Sequence, residues 1–417
     1  MLFGLFYLPC LVLKGKAHGR FLERFGAFGR SMDGLDAPVW IHAVSVGEAN
    51  VAARIAKGIR KRSPGVPIVV STTTTTGQDM MEKAGKGVVD RVFYYPLDIS
   101  FIVSRVISKI NPRLYVVIET ELWPNLMTAL KRKGVPIAVV NGRISDRSFR
   151  NYLKVKPFIS GMLGCIDVFS VQTKDDASRI VRMGAATERV TVTGNVKFDQ
   201  GISEGLPLPV RPEDIGMRQD DLIIVAGSTH FNEESQLIDV YKRLSGRIPG
   251  LKLIIAPRHV ERVEAVKVYI EEAGLRHMAY SGLRGKGAPG GGKTGTYDVM
   301  VVDSIGHLKD MYALATIVFV GGSLVKKGGQ NIIEPASYGK PVVFGPNMYN
   351  FKEAVRMFLS REGAIQVADA DELEQVLERL IKDDGMRRNI SRKAVDVIRE
   401  NSGAVDRTVS LLDRFLG

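Results

Sequence analysis

The chain has only two cysteines in 417 residues, Cys10 and Cys165. Two thiols cannot build a disulfide framework or a thiolate metal cluster, and their scarcity points to a reducing compartment. The six histidines form no HxH or HExxH pair, so a protein-held metal is not expected. No self-similarity of solenoid or propeller length recurs along the chain. Long apolar runs are also missing. The opening stretch Met1 to Leu13 carries no charge, but 13 residues fall short of the roughly 20 that a helix needs to cross a bilayer core.

Apolar residues make up 45% and charged residues 25%, which is enough for large cores and excludes wholesale disorder. Lys and Arg total 58 against 45 Asp and Glu, a net charge of +13. Such a surplus calls for an anionic partner: nucleic acid, a membrane surface or a phosphorylated substrate. The basic residues are scattered and are not clustered with aromatics on one stretch, so nucleic acid is set aside. Positive charge follows the apolar N-terminus, at Lys14, Lys16, Arg20 and Arg24. A secretory signal has the reverse order. The pattern fits an interfacial segment, residues 1–30, lying on or anchored in an anionic membrane.

Short β-branched runs alternate with helical patterns. Val39–Val44, Ile68–Ser71, Leu114–Ile118, Ile137–Val140 and Val168–Val171 read as strands of a first parallel sheet. A Gly, Pro and acid-rich stretch near 201–218 reads as a linker. Leu222–Ala226, Leu251–Ala256, Val299–Val302, Ile317–Val320 and Val342–Phe344 form a second series. The expected architecture is α/β, with two Rossmann-like doubly wound domains, 31–203 and 204–417, facing a cleft that takes ligands at the strands' carboxyl ends.

Gly287 to Thr294 matches the P-loop pattern GxxxxGK[ST]. That motif works only between a strand and a helix, whose N-terminus cradles the phosphates. Here the strand Val299–Val302 follows instead, and the stretch reads as a solvated surface loop.

Four groups of residues lie where chemistry belongs. Ser45-Val46-Gly47-Glu48 ends the first strand; Glu48 is either a general base or a first-turn acid that complements the helix dipole. Glu119-Thr120-Glu121 ends the strand Leu114–Ile118. Glu119 directly continues that strand and could hold a donor, a cation or a hydroxyl, or could cap the next helix, which has Pro124 near its first turn. Lys197, in GNVKFD, could neutralise an anionic leaving group or be a solvated charge. In the second domain Pro257 and Arg258, then Ile305-Gly306-His307, Gly321-Gly322-Ser323 and Asn331-Ile332-Ile333-Glu334 follow strands in turn. Glycines let a backbone approach a nucleotide, free amides at a helix start can meet phosphate, and Arg258 can pair with it bidentately.

Along nearly its whole length the sequence resembles the Kdo transferases, which add 3-deoxy-D-manno-octulosonic acid (Kdo) to lipid A precursors in lipopolysaccharide synthesis. The resemblance rests on HAVSVGE (His42–Glu48), STTTTTG (Ser71–Gly77), ETELWPN (Glu119–Asn125), GNVKFD (Gly194–Asp199), APRHVER (Ala256–Arg262), FVGGSLVKKGGQNIIEPA (Phe319–Ala336) and FGPNMYNFKE (Phe344–Glu353). It implies a GT-B fold, a CMP-Kdo donor, a lipid A precursor (lipid IVA) as acceptor, and inverting transfer with neither metal nor cofactor at the cytoplasmic face of the bacterial inner membrane. It places the base on Glu48, transition-state support on Glu119 and Lys197, and CMP contacts on Pro257, Arg258, Ile305, Gly306, His307, Asn331, Ile332, Ile333 and Glu334. Relatives often carry Glu at the position of His307, and their apolar N-terminus is commonly longer. The insertion Arg284–Thr296 belongs to this chain. A second reading, another GT-B enzyme such as a UDP-sugar transferase or epimerase, stays open at this point.

Overall fold

The computed structural model of the chain describes residues 20–28, 32, 34–199, 201–203, 205, 207–283 and 297–417. The apolar stretch Met1–Leu13 with Lys14 and Lys16, the P-loop lookalike and the insertion Arg284–Thr296 lie outside them. Two compact units form, Met1–Asp199 with Asn401–Gly417, and Gln200–Glu400.

In the first unit β1 (Val39–Ala43), β2 (Ile68–Thr72), β3 (Arg91–Tyr94), β4 (Leu114–Ile118), β5 (Ile137–Gly142), β6 (Val168–Val171) and β7 (Val190–Val192) make one parallel sheet, ordered β3-β2-β1-β4-β5-β6-β7. Every residue of β1, β2, β4, β5 and β6 is buried. Helices cover both faces, so alternate side chains feed two cores. Trp40, Tyr115 and Val117 face one core; Val39, Ile41 and Val116 face the other.

The helices are α1 (Val46–Arg62), α2 (Thr75–Ala84), α3 (Ser100–Ile110), α4 (Pro124–Arg132), α5 (Asp146–Lys154), α6 (Lys156–Leu163) and α7 (Lys174–Met183). In α1 the buried residues Ala49, Ala52, Ala53, Ala56 and Ile59 recur at helical spacing.

The second unit repeats the plan with β8 (Leu222–Thr229), β9 (Leu251–Pro257), β10 (His277–Ala279), β11 (Val299–Val301), β12 (Ile317–Val320), β13 (Val342–Phe344) and β14 (Ile365–Gln366), all parallel and ordered β10-β11-β9-β8-β12-β13-β14.

One expectation is corrected. Residues 401–417, assigned by sequence to the second domain, pack in the first. The helix Ala404–Leu412 lies against α1 at Gly58, where a Cβ would stand 2.8 Å from Val405 and 2.9 Å from Val409. The Asp199 carboxylate accepts from the Gly403 amide at 2.6 Å, and Ser170 and Thr408 share a buried hydroxyl contact of 2.9 Å. Two cations of the N-terminal cluster also make contacts within the unit. Arg20 pairs with Glu23 at 2.6 Å and Glu82 at 2.9 Å. Arg24 donates to the Thr73 carbonyl and stacks over Tyr94. Among the described residues no helix is long and apolar enough to cross a membrane.

Candidate active site

In the first sheet the chain begins at β1, runs outward through β2 and β3, then crosses to β4 on the other side of β1. The carboxyl ends of β1 and β4 therefore flank a switch point, where open α/β sheets leave a crevice for ligands. Glu48 follows β1, and Glu119 and Glu121 follow β4.

Glu48 is held on both oxygens. Its Oε2 accepts from the Val44 amide at 2.8 Å and its Oε1 from the Ser45 hydroxyl at 2.8 Å, while the Glu48 amide donates to Ser45 Oγ at 3.3 Å. The residue is thus a helix-start acid and also a fixed carboxylate at the switch point. Burial pushes its pKa up, the Val44 and Ser45 hydrogen bonds pull it back, and the Glu119 charge adds to the rise.

Glu119 sits at φ +59°, in the left-handed region that a non-glycine residue enters at a cost. Its amide stays in register, donating to Val140 O at 2.9 Å. Arg143 Nε donates to its Oε2 at 2.9 Å, and Lys197 Nζ stands 4.0 Å from Oε1. Lys197 is positioned from below. Arg54 donates to the carbonyls of Val196 at 2.9 Å and Lys197 at 3.2 Å, and Asn141 Oδ1 accepts from the Val196 amide at 3.0 Å. The structure thus brings Glu119 and Lys197 together with Arg143, which sequence reasoning passed over.

Glu121 was passed over too, because Glu119 continues the strand more directly. Glu121 makes no hydrogen bond or ion pair with the described residues. Burial, then the charges of Glu48 and Glu119, push its pKa up to about 7. The doubled carboxylate of E-T-E was the only sequence signal for it. Nearby, His42 is fully buried, stacks on Tyr95 at 3.8 Å and sets Nδ1 3.0 Å from Ser71 Oγ; burial holds it neutral, with its pKa lowered to about 3.

A raised carboxyl pKa means that the folded unit holds a proton the unfolded chain has lost. Glu121's contribution to stability is therefore fully present below its ordinary 4.5 and is lost as pH rises to about 7. Glu121→Gln should flatten this part of the pH dependence. The check is denaturation of parent and variant at several pH values across that window. Parallel curves would show that Glu121 titrates normally.

In the second unit Pro257 closes β9, and the Arg258 amide donates to Thr229 O at 2.9 Å. The Arg258 guanidinium lies in a cationic group. Burial lowers the His230 pKa, and His259, Lys327, Arg258 and Arg262 lower it further. Arg262 is bound to the buried Glu234 at 3.0 Å, but neither Arg258 nor Lys327 forms an ion pair among the described residues. This group stands at the carboxyl ends of β8 and β9, and two unpaired cations there suit a phosphate. Sequence reasoning found Arg258 but neither His230 nor Lys327.

The other expected CMP residues are placed unevenly. Ile305 is 86% exposed, Gly306 has φ +102°, and the His307 ring lies 5.0 Å from that of Tyr280. Ile332 and Ile333 are fully buried, so only their backbone can face a ligand. The expectation of free amides at this helix start needs correction at Ile333, whose N–H donates to Asn331 Oδ1 at 3.1 Å. The helix, Ile333–Ser337, is also short, and Glu334 pairs with Lys309 at 3.2 Å.

The glycines of the Gly-Gly-Ser loop also serve the protein's own packing. A Cβ at Gly321 would lie 2.5 Å from Ser228 O, and the amides of Gly322, Ser323 and Leu324 donate to the fully buried Glu233 at 2.6, 3.0 and 2.9 Å.

Comparison with known proteins converges on one family. Residues 19–200 match the family model described as 3-deoxy-D-manno-octulosonic-acid transferase (kdotransferase). The chain is 33% identical to the 3-deoxy-D-manno-octulosonic acid transferase of Haemophilus influenzae over 95% of its own length and 91% of that protein. It is 32% identical to the transferase of the same name from Bordetella pertussis, over 94% of this chain and 91% of that protein. The UDP-GlcNAc 2-epimerase of Neisseria meningitidis bound to UDP-GlcNAc is similar in fold, with a TM-score of 0.63 at 14% identity, covering 90% of this chain and all of that one. Two parallel-sheet α/β units in tandem are the GT-B class. With that fold, and with a third of its residues shared across nearly the full length of a named relative, the chain belongs to the Kdo transferase family and is a Kdo-transferring glycosyltransferase.

Proposed function

We propose that the protein transfers Kdo from CMP-Kdo to a lipid A precursor such as lipid IVA, with inversion and without a metal ion, at the cytoplasmic face of the bacterial inner membrane. The observation that carries this reading is Glu48, a carboxylate held on both oxygens at the switch point of the first sheet, with its pKa raised by burial. A general base works best when its pKa approaches the operating pH. In the step, an acceptor hydroxyl oxygen attacks the anomeric carbon of Kdo and its proton passes to Glu48. The bond from that carbon to the CMP phosphate oxygen breaks, and CMP leaves as an anion. Lys197, steadied by Glu119, supports the charge that develops. In the second unit Arg258 and Lys327 supply cations for the phosphate, with Pro257, the Ile305–His307 turn and the Asn331–Glu334 segment as further CMP contacts. The names of the Haemophilus and Bordetella relatives support the sugar assignment.

The test is incubation of the purified chain with CMP-Kdo and detergent-dispersed lipid IVA, in the presence of EDTA, with products read by mass. A product heavier by one or more Kdo residues is expected. Turnover of a UDP-sugar with none of CMP-Kdo would overturn the donor assignment, and loss of activity in EDTA would overturn metal independence.

A further inference from the structure

Lys197 sits on a segment that cannot hold itself in place. It follows β7, a partly exposed strand at the edge of the sheet, and rides on a single 3-10 turn, Val196–Phe198. So short a turn has too few internal hydrogen bonds to fix its own position. Arg54 and Asn141 secure part of its backbone. The last helix of the chain, Ala404–Leu412, secures both of its ends.

The chain leaves the first unit after Asp199 and returns to it at Asn401. The Asp199 carboxylate ties these two crossings together. The helix begins at Gly403, which has no side chain to satisfy the first amides. Asp199 caps them instead: Oδ1 accepts from the Gly403 amide at 2.6 Å, and Oδ2 accepts from the Val405 amide. Ser402 Oγ donates to Phe198 O at 3.4 Å. At the other end of the segment Arg407 Nε donates to Thr193 O at 2.8 Å. Its guanidinium is wedged between two glycines. A Cβ at Gly194 would stand 3.1 Å from Nη2, and one at Gly403 would stand 2.8 Å from Nη1. Both glycines are in the left-handed region, at φ +93° and +87°, so no other residue suits either place. A third tie is buried: the Ser170 hydroxyl bonds Thr193 at 2.6 Å and Thr408 at 2.9 Å.

Thr193 and Asp199 bracket Lys197 in sequence, and the helix holds both. Glu119 is fixed by its own strand, whereas Lys197, 4.0 Å from it, is fixed by this strap. A group that stabilises developing charge must be well placed, since a shift of about 1 Å can cost on the order of 100-fold in rate. We infer that the C-terminal helix positions Lys197 for the transfer step, with Asp199 and Arg407 as positioning residues. This rests on the reading that Lys197 supports the charge of the leaving phosphate. The return of residues 401–417 to the first unit then serves the reaction as well as the packing at Gly58.

The test measures steady-state Kdo transfer from CMP-Kdo to detergent-dispersed lipid IVA by the full chain. Asp199→Ala and Arg407→Ala should each lower kcat about 10–100-fold. KM for CMP-Kdo should stay within about twofold of the parent, because the interaction lost is made in the transition state. Asp199→Asn keeps one carbonyl acceptor for the two amides and should recover part of the loss. Val409→Ala loosens the same helix at Gly58 but leaves both ties in place, so it should melt earlier and keep the parental kcat. The deciding arm is a double-mutant cycle. In a Lys197→Ala background Asp199→Ala should cost less than about twofold more, since the residue it acts through is already gone. Should Asp199→Ala fail to fold, Arg407→Ala, which removes an exposed side chain, carries the same cycle. Parental kcat in both Ala variants overturns the inference. So does an equal loss in the presence and absence of Lys197, or a loss in Val409→Ala as large as that in Asp199→Ala. Those outcomes leave the role of Lys197 standing. Parental turnover by Lys197→Ala alone would overturn that role, and the inference with it.

Discussion

Glu48→Gln should lower Kdo transfer by about 10²–10⁴-fold, the range over which a positioned base contributes, while leaving CMP binding unchanged. The amide is nearly isosteric, and its oxygen can still accept from the Val44 amide, so the start of α1 should survive. What it cannot do is take a proton. If Glu48 were only a cap, the variant would transfer at a near-normal rate and lose no more than roughly 0.5–2 kcal/mol of stability. The pH profile separates the cases further. A base acts when deprotonated, and burial has raised the pKa of Glu48, so the parental rate should rise with pH through that raised value. The residual activity of the variant should lack this limb. CMP affinity measured by calorimetry should match the parent, because the residues assigned to CMP belong to the second unit. A Gln variant with the parental pH–rate limb would remove Glu48 from the proton transfer.

Central strands were legible from sequence because parallel strands buried on both faces are continuous apolar runs, as in Leu114–Ile118. The strands that sequence did not show, Arg91–Tyr94, His277–Ala279 and Ile365–Gln366, all sit at sheet edges. They are short and partly exposed, so composition hardly marks them. Glu48 and Glu119 stood out because each ends a legible strand. Glu121 did not, because its raised pKa comes first from burial and then from the charges of Glu48 and Glu119, and only the folded unit supplies either. Arg143 and Lys327 were invisible for the same reason: each matters through neighbours distant in sequence. The C-terminal helix was assigned to the wrong unit because an amphipathic pattern does not say which core it covers; Gly58, one residue of α1, makes its berth.

The Gly-Gly-Ser loop is held from inside the protein by Glu233, and that leads to a large stability effect. Glu233→Ala should destabilise the second unit by roughly 3–5 kcal/mol, the cost of breaking a buried charge-assisted network. The side chain is fully buried and accepts from four amides: His230 at 3.2 Å and the run Gly322, Ser323 and Leu324. Burial raises its pKa, and those four donors oppose the rise. With the carboxylate gone, four buried or half-buried N–H groups compete for whatever water fills the space, each unmet donor costing about 1–3 kcal/mol. For a unit of this size about 2–4 °C is lost per kcal/mol, so the melting temperature should fall by roughly 6–20 °C. Glu233→Gln keeps the volume but turns an NH2 group toward N–H donors, so it should rescue little. The loop leads directly to Lys327 and Asn331, and its loosening should also weaken CMP binding below the melting range. Thermal denaturation with a CMP titration at a temperature where the variant is folded checks both. An Ala variant that melts within a degree or two of the parent would mean that the amides find other partners, and the loop would then owe its shape to the close approach of Gly321 to Ser228 alone.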